Sequence, residues 1–90
     1  MLEGKVAVVT GSTDGIGLAV ARALAGQKAS IMLNGFGEAA AVDALRKELS
    51  EKHGVKVAYS PADLTVGTQA AELIDTATRE LGRVDILVNN

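Results

Sequence analysis

Short apolar runs alternate along the chain with longer stretches whose apolar residues recur every three or four positions. The first run, Lys5–Thr10, leads into the turn-forming residues 11–15, which predicts a buried strand followed by a tight turn. From Ile16 the period becomes that of a helix, which we expect to stop at Gly26. The predicted buried face of this helix comprises Ile16, Ala19, Val20, Ala23 and Leu24.

The same alternation continues to the end of the chain. It predicts strands at Ser30–Leu33, Val55–Tyr59 and Val84–Val88, a helix from Glu38 to His53 that Gly54 ends, and a helix that begins at a cap on Thr65 or Thr68 and ends at Gly82. The buried stripes of these two helices are predicted at Val42, Leu45 and Leu49, and at Ala70, Leu73, Ile74, Ala77 and Leu81. A β-α-β-α-β-α-β order implies parallel strands with right-handed crossovers. We therefore predict an α/β fold with a doubly wound parallel sheet, of which the first four strands are present.

The glycine-rich turn after the first strand is the most informative segment. Gly11 allows a sharp turn, Gly15 allows the backbone to approach a pyrophosphate, and Gly17 allows the helix to pack closely. The helix N-terminus offers free N–H groups to phosphates, and the hydroxyl of Thr13 adds a donor. This context predicts a dinucleotide site. The alternative is a glycine-rich turn without a ligand, as in flavodoxin-like signalling domains.

Composition narrows the choice of function. The 90 residues are 48% hydrophobic and 2% aromatic, with a net charge of -2, one histidine and no cysteine. Disulfides, thiolate metal sites and a metal-ligand cluster are thereby disfavoured, and nothing indicates nucleic acid or a membrane as partner. No apolar run approaches the roughly 20 residues of a membrane span. We expect a soluble cytoplasmic protein with a small-molecule ligand.

Three motifs in order carry a resemblance to a known family. They are Thr10-Gly11 with Gly15-Ile16-Gly17 after the first strand, Asp63-Leu64 after the third, and Asn89-Asn90 after the fourth. Together they resemble the short-chain dehydrogenase/reductase family. The resemblance implies a Rossmann-type sheet and an oxidoreductase. It also implies that residues 1–90 are the N-terminal part of a single dinucleotide-binding domain, truncated in the middle of its site.

The resemblance assigns further positions to the cofactor. Phe36 would lie against the adenine and its ribose, Asp63 and Leu64 would contact the adenine, and the backbone of Asn90 would meet the adenosine ribose. Each assignment has a structural alternative. Phe36 could be a loop residue that folds over the sheet edge, Asp63 a turn or helix-capping residue, and Asn90 a strand-end residue that ties neighbouring loops together. The candidate cofactor residues are Gly11, Thr13, Asp14, Gly15, Ile16, Gly17, Phe36, Asp63, Leu64 and Asn90.

The choice between NAD and NADP depends on the end of the second strand, where an acidic residue favours NAD and a basic one favours NADP. Here Asn34 stands there; it can hydrogen-bond a ribose hydroxyl but repels a phosphate less than aspartate would. Asp14, in the glycine turn, would oppose a 2′-phosphate by about 4 kcal/mol per unit charge at about 4 Å and an effective dielectric near 20. Residues 35–37 supply no cation. We expect NAD.

The family's catalytic Tyr-x-x-x-Lys is absent, because the residue four positions after Tyr59 is Asp63. The resemblance therefore implies that the catalytic residues lie beyond Asn90. Residues 1–10, 33–37 and 53–57 further resemble the D-3-hydroxybutyrate dehydrogenases of bacteria, a subgroup of the family. This resemblance implies oxidation of D-3-hydroxybutyrate to acetoacetate and a homo-tetramer. The alternatives are an NADPH-dependent 3-oxoacyl reductase of the same family and a non-catalytic dinucleotide-binding fragment.

Overall fold

The computed structural model describes all residues from Met1 to Asn90, and it confirms the predicted order of elements. The strands are β1 (Val6–Val9), β2 (Ser30–Asn34), β3 (Val57–Ser60) and β4 (Ile86–Val88). The helices are α1 (Gly15–Gly26), α2 (Ala39–His53) and α3 (Gly67–Leu81). Each strand but the last is followed by a helix.

All strand pairs are parallel, and the strand order is β3-β2-β1-β4. The centre of β1 pairs on one side with β2, Val8 opposite Met32, and on the other with β4, Val8 opposite Leu87. The chain thus builds outward from β1 to β3 and then crosses back to the opposite side. The point between β1 and β4 where the direction reverses is where open α/β sheets form their binding crevice.

Helices cover both faces of the sheet, as a doubly wound fold requires. On one face Ala21 and Ala25 of α1 join Leu49 of α2 in a buried cluster with alternate strand residues such as Val9. On the other face Leu73 and Ala77 of α3 pack with Val8, Met32 and Ala58. Because successive strand residues point to opposite faces, the continuous apolar runs of β1 and β2 serve both layers.

The predicted buried face of α1 is only partly correct, because Val20 and Leu24 pack against the core while the fully buried residues lie beside them. The helix buries Gly17, Ala21 and Ala25, while Ile16 is 76% exposed. Of the other four residues predicted on that face, Val20 and Leu24 are half-buried. Ala19 and Ala23 are exposed. Small residues spaced four apart let the helix axis approach the sheet closely, and this line of small side chains is less visible in the sequence than the larger apolar residues beside it.

The predicted stripes of α2 and α3 are largely confirmed. Val42 and Leu49 are buried and Leu45 is half-buried on α2. On α3 the buried residues are Leu73 and Ala77, the half-buried ones are Ile74 and Leu81, and Ala70 is exposed, against the prediction. Both stops are confirmed, since Gly54 and Gly82 take left-handed backbone angles after the last turn of their helices.

Two predicted helix boundaries differ from the structure. Gly26 belongs to α1 rather than stopping it, and Lys28, with φ of 76°, takes the left-handed position beyond the helix end. Helix α3 is preceded by Val66 rather than capped by Thr65 or Thr68. The hydroxyl of Thr65 donates instead to the carboxylate of Asp63, which draws it away from the helix.

The last strand forms an open edge of the sheet. Leu87, in the middle of β4, is 50% exposed, and the strand has a partner only on the β1 side. None of the helices is long and apolar enough to cross a membrane.

Candidate functional site

A cleft of about 490 Å³ opens at the carboxyl ends of the strands. Its walls are the glycine turn after β1, the loop after β2, the loop after β3 and the end of β4. Seven of the ten predicted cofactor residues line it: Gly11, Thr13, Asp14, Phe36, Asp63, Leu64 and Asn90. The other five lining residues are Thr10, Asn34, Gly35, Ala62 and Thr65. Of these only Asn34 was considered for the cofactor from the sequence; Thr10 and Gly35 directly follow strands, which is the signal that could have found them.

The amino terminus of α1 adjoins the cleft without a side-chain cap. Asp14 stands at the N-cap position, and its carboxylate makes no capping hydrogen bond. Leu18 is the first residue of the helix whose backbone N–H donates to a carbonyl, that of Asp14, at 3.1 Å. The preceding amides, at residues 15–17, therefore remain available to an external acceptor. A Cβ at Gly15 would meet no protein atom within 4 Å, so the space beside this turn is open.

Gly17 has a packing role rather than a place in the cleft wall. A Cβ there would lie 2.1 Å from the carbonyl oxygen of Gly11 and 2.8 Å from Nδ2 of Asn90. This close approach lets the first turn of α1 rest directly on the glycine turn, rather than on the sheet as the sequence suggested. Ile16 also stays out of the cleft wall, since its side chain points to solvent.

Asn90 connects the end of β4 to the glycine turn. Its Nδ2 donates to the carbonyl of Gly11 at 3.1 Å, and its backbone N–H donates to Oγ1 of Thr10 at 2.9 Å. Thr10 in turn donates its backbone N–H to the Val88 carbonyl at 3.0 Å. The strand-end tie considered in the sequence is therefore present, and it places Asn90 in the cleft wall.

The loop after β2 is held in place by two hydroxyl groups. Thr13 donates its hydroxyl to the carbonyl of Phe36 at 2.9 Å, and the Tyr59 hydroxyl donates to the carbonyl of Gly35. The Thr13 hydroxyl was expected to reach phosphates, but its proton is engaged within the loop. Phe36 itself is 72% exposed, so its ring is free to cover a ligand in the cleft.

Asp63 is oriented by its own loop. One carboxylate oxygen, Oδ1, accepts the hydroxyl of Thr65 at 2.7 Å and its backbone N–H at 3.0 Å. These two bonds hold the pKa of the Asp63 carboxyl below its usual value, and the bond from the hydroxyl has the larger effect. The backbone N–H of Asp63 donates to Oε1 of Gln69 at 2.7 Å. Asp63 is therefore an ionised acceptor, and its Oδ2 has no protein partner.

Asn34 differs most from expectation. Its side chain was considered for a ribose hydroxyl, yet its amide nitrogen and oxygen are both engaged by backbone groups of neighbouring loops. The residue is only 2% exposed. Asn34 therefore lines the cleft as a structural residue whose polar side-chain atoms are already hydrogen-bonded to the protein.

A cleft at the reversal point of a parallel sheet, between a glycine turn and an uncapped helix, defines a Rossmann-type dinucleotide-binding fold. Residues 5–90 match the model of the short chain dehydrogenase family. The chain belongs to this family of oxidoreductases.

Individual relatives show how much of a family member is present. The chain is 46% identical over 91 aligned residues to a D-beta-hydroxybutyrate dehydrogenase of Cupriavidus necator, covering 100% of this chain and 34% of the relative. It is 43% identical over 86 residues to the D-beta-hydroxybutyrate dehydrogenase of Rhizobium meliloti, covering 96% of this chain and 33% of that protein. The chain thus spans about a third of the length of these relatives.

Solved structures carry the same fold. The L-sorbose reductase of Gluconobacter frateurii, solved in complex with NADPH and L-sorbose, superposes with a TM-score of 0.88 at 36% identity. The superposition covers 99% of this chain and 34% of the reductase. Together with the family match, it confirms the predicted Rossmann-type sheet.

Proposed function

We propose that this chain is the adenosine-binding part of an NAD-dependent dehydrogenase whose complete form oxidises D-3-hydroxybutyrate to acetoacetate. The main support is the 46% identity to the Cupriavidus necator enzyme, which extends over the whole chain. In this proposal residues 1–90 are the N-terminal part of one dinucleotide-binding domain. The complete protein is a homo-tetramer, and its catalytic and substrate-binding residues follow Asn90.

The residues of the cleft fit a dinucleotide. The free amides at the start of α1 and the open space beside Gly15 suit a pyrophosphate. Phe36 and Leu64 offer apolar surface to an adenine, and the ionised Asp63 can accept from its exocyclic amine. In this proposal the backbone of Asn90, which lies in the cleft wall, meets the adenosine ribose. When bound, the nicotinamide supplies the hydride acceptor.

Charge in the cleft supports NAD over NADP. The only ionisable side chains in its wall are the carboxylates of Asp14 and Asp63, and no lysine, arginine or histidine lines it. A 2′-phosphate would enter without a countercharge and close to acidic groups. One like-charge contact at about 4 Å opposes binding by about 4 kcal/mol at an effective dielectric near 20, before screening by salt.

An NADPH-dependent reductase of the same family is the second candidate. It is favoured by the structural similarity to L-sorbose reductase, which was solved with NADPH. Under this alternative a cation that is not part of this cleft wall meets the 2′-phosphate.

The test is a cofactor and substrate comparison on the intact protein as its source produces it. We expect NADH to bind roughly 10-fold or more tightly than NADPH, which corresponds to about 1.4 kcal/mol. With NAD we expect oxidation of D-3-hydroxybutyrate and no oxidation of its L enantiomer. The absorbance of the NADH formed measures the reaction. Tighter binding of NADPH would favour the reductase, and binding of NADH without turnover of any hydroxy acid would leave only a binding module.

A further inference from the structure

The side chain of Asn34 connects the two opposite walls of the cleft. Its Oδ1 accepts the backbone N–H of Gly11, in the glycine turn, at 3.4 Å. Its Nδ2 donates to the carbonyls of Ser60 and Ala62, at the start of the loop after β3, at 3.1 and 3.0 Å. Three bonds therefore run from one amide to segments that are distant in sequence.

The partners of Asn34 dictate the chemistry of its side chain. A backbone N–H can only donate and a carbonyl can only accept, so the group between them must accept on one side and donate twice on the other. A carboxamide of this length satisfies all three. A carboxylate accepts the Gly11 N–H but turns an unprotonated oxygen towards the carbonyls of Ser60 and Ala62, at a position that is only 2% exposed.

The backbone of Asn34 is held as firmly as its side chain. Oγ of the buried Ser12 accepts the Asn34 N–H at 3.0 Å, and the N–H of Ser12 donates to the Asn34 carbonyl at 2.6 Å. These bonds fix the backbone of Asn34 against the glycine turn, so the side chain at position 34 starts from one place between the two walls.

Position 35 cannot supply the missing carboxylate either. Gly35 has a φ of 144°, and a Cβ there would lie 2.8 Å from Oγ1 of Thr13. Both the angle and the contact exclude a larger residue. At the end of β2, where an acidic side chain commonly holds the adenosine ribose, the amide of Asn34 is thus engaged by backbone groups and position 35 has no room for a side chain.

We propose that Asn34 is a positioning residue that sets the separation of the cleft walls, and that the ribose is bound without a side chain from the end of β2. The inference rests on the proposed dinucleotide function. It predicts that Asn34→Asp, which introduces the acidic residue typical of NAD-binding folds, weakens NAD binding instead of strengthening it.

The experiment uses the intact protein and two ligands, NADH and its 2′-deoxyadenosine analogue. We expect N34D and N34A to weaken both ligands by the same factor, roughly 10-fold or more, because buried backbone groups lose their partner. The KM for NAD should rise by a similar factor while kcat at saturating NAD stays within about twofold, a split that general loss of folded protein would not produce. Should N34D not fold, N34A alone supplies the ratio between the two ligands.

Gln27→Glu is the matched control, since it makes the same amide-to-carboxylate change on an exposed side chain beyond α1. It should leave both affinities unchanged. Equal or tighter NADH binding by N34D would overturn the proposal. So would an N34A variant that loses affinity for NADH but not for the deoxy analogue, because that result identifies a direct ribose contact. A wild-type protein that binds neither NADH nor NADPH would instead overturn the proposed function itself.

Discussion

Gly17 is the residue at which α1 comes closest to the turn before it. Replacement by alanine places a methyl group 2.1 Å from the Gly11 carbonyl oxygen, so backbone must move. We expect G17A to lower the free energy of unfolding by about 3 kcal/mol and to weaken NADH binding, measured by urea unfolding and by titration.

Gly26 provides the control for this prediction on the same helix. A Cβ there would meet only Cε1 of His53, at 3.9 Å. G26A should therefore stabilise the helix by about 0.5–1 kcal/mol. Equal losses in both variants would contradict the role assigned to the close approach at Gly17.

The pKa of Asp63 provides a second test at the residue scale. Because the Thr65 hydroxyl lowers this pKa, the carboxylate stabilises the fold above the unfolded pKa of about 3.9, and this contribution is lost as pH falls through the lower folded pKa. In T65A the pKa of Asp63 should move up towards its usual value. An NMR titration of the Asp63 carboxyl carbon measures this pKa. T65S, which keeps the hydroxyl, should retain the low pKa; a T65A titration identical to wild type would contradict the assignment.

The sequence predicts individual site residues unevenly. Gly11, Asp63 and Asn90 follow from motifs, because a local pattern fixes both the residue type and its place at a strand end. The function of Asn34 does not follow, because it depends on which carbonyls the loop after β3 turns towards it. The same applies to Thr13, whose hydroxyl bonds a loop that is 23 positions away in sequence.

At the scale of elements, the end of α1 carries a local conflict between residue and backbone. Lys28 is the only non-glycine residue with positive φ, and its amine donates to the His53 carbonyl at 2.8 Å. The left-handed conformation costs roughly 1–2 kcal/mol for an L residue with a side chain. The exposed amine bond offsets part of that cost.

Replacing Lys28 by glycine should therefore raise the free energy of unfolding by about 1 kcal/mol, since glycine adopts positive φ freely. K28A is the control, because it removes the amine and keeps the strain; it should stabilise nothing. Thermal melts of the three proteins side by side give the answer, and a K28G melt at or below that of K28A would refute this account.

Element prediction succeeded where periodicity was strong and failed where the buried line was made of small residues. The stripes of α2 and α3 contain leucine and valine at helical spacing, and the structure buries most of them. In α1 the fully buried positions are glycine and alanine, with Val20 and Leu24 packed beside them, so hydrophobicity alone selected a face that is shifted from the buried one. Close helix-to-sheet packing is a tertiary requirement that the local pattern does not carry.

At the scale of the whole 90-residue chain, the order of elements predicts the parallel sheet. The open edge at β4 governs how readily this chain associates with other chains. An unpaired strand with an exposed leucine invites pairing with another chain. We expect the 90-residue chain by itself to be weakly stable and to aggregate. Leu87→Lys should slow that aggregation, followed by light scattering.

The matched control is Val66→Lys, which makes the same apolar-to-lysine change on an exposed residue outside the sheet. It alters the net charge identically and leaves the edge intact. If V66K slows aggregation as much as L87K, charge rather than strand pairing governs the process.

The hydroxyl contact between Tyr59 and the loop after β2 has an optical consequence. The chain contains one tyrosine and no tryptophan, so its ultraviolet emission arises from a single phenol whose oxygen bonds the residue next to Phe36. Any movement of that loop changes the surroundings of the fluorophore. The chain thus carries its own spectroscopic probe at the cleft, without the need to attach a dye.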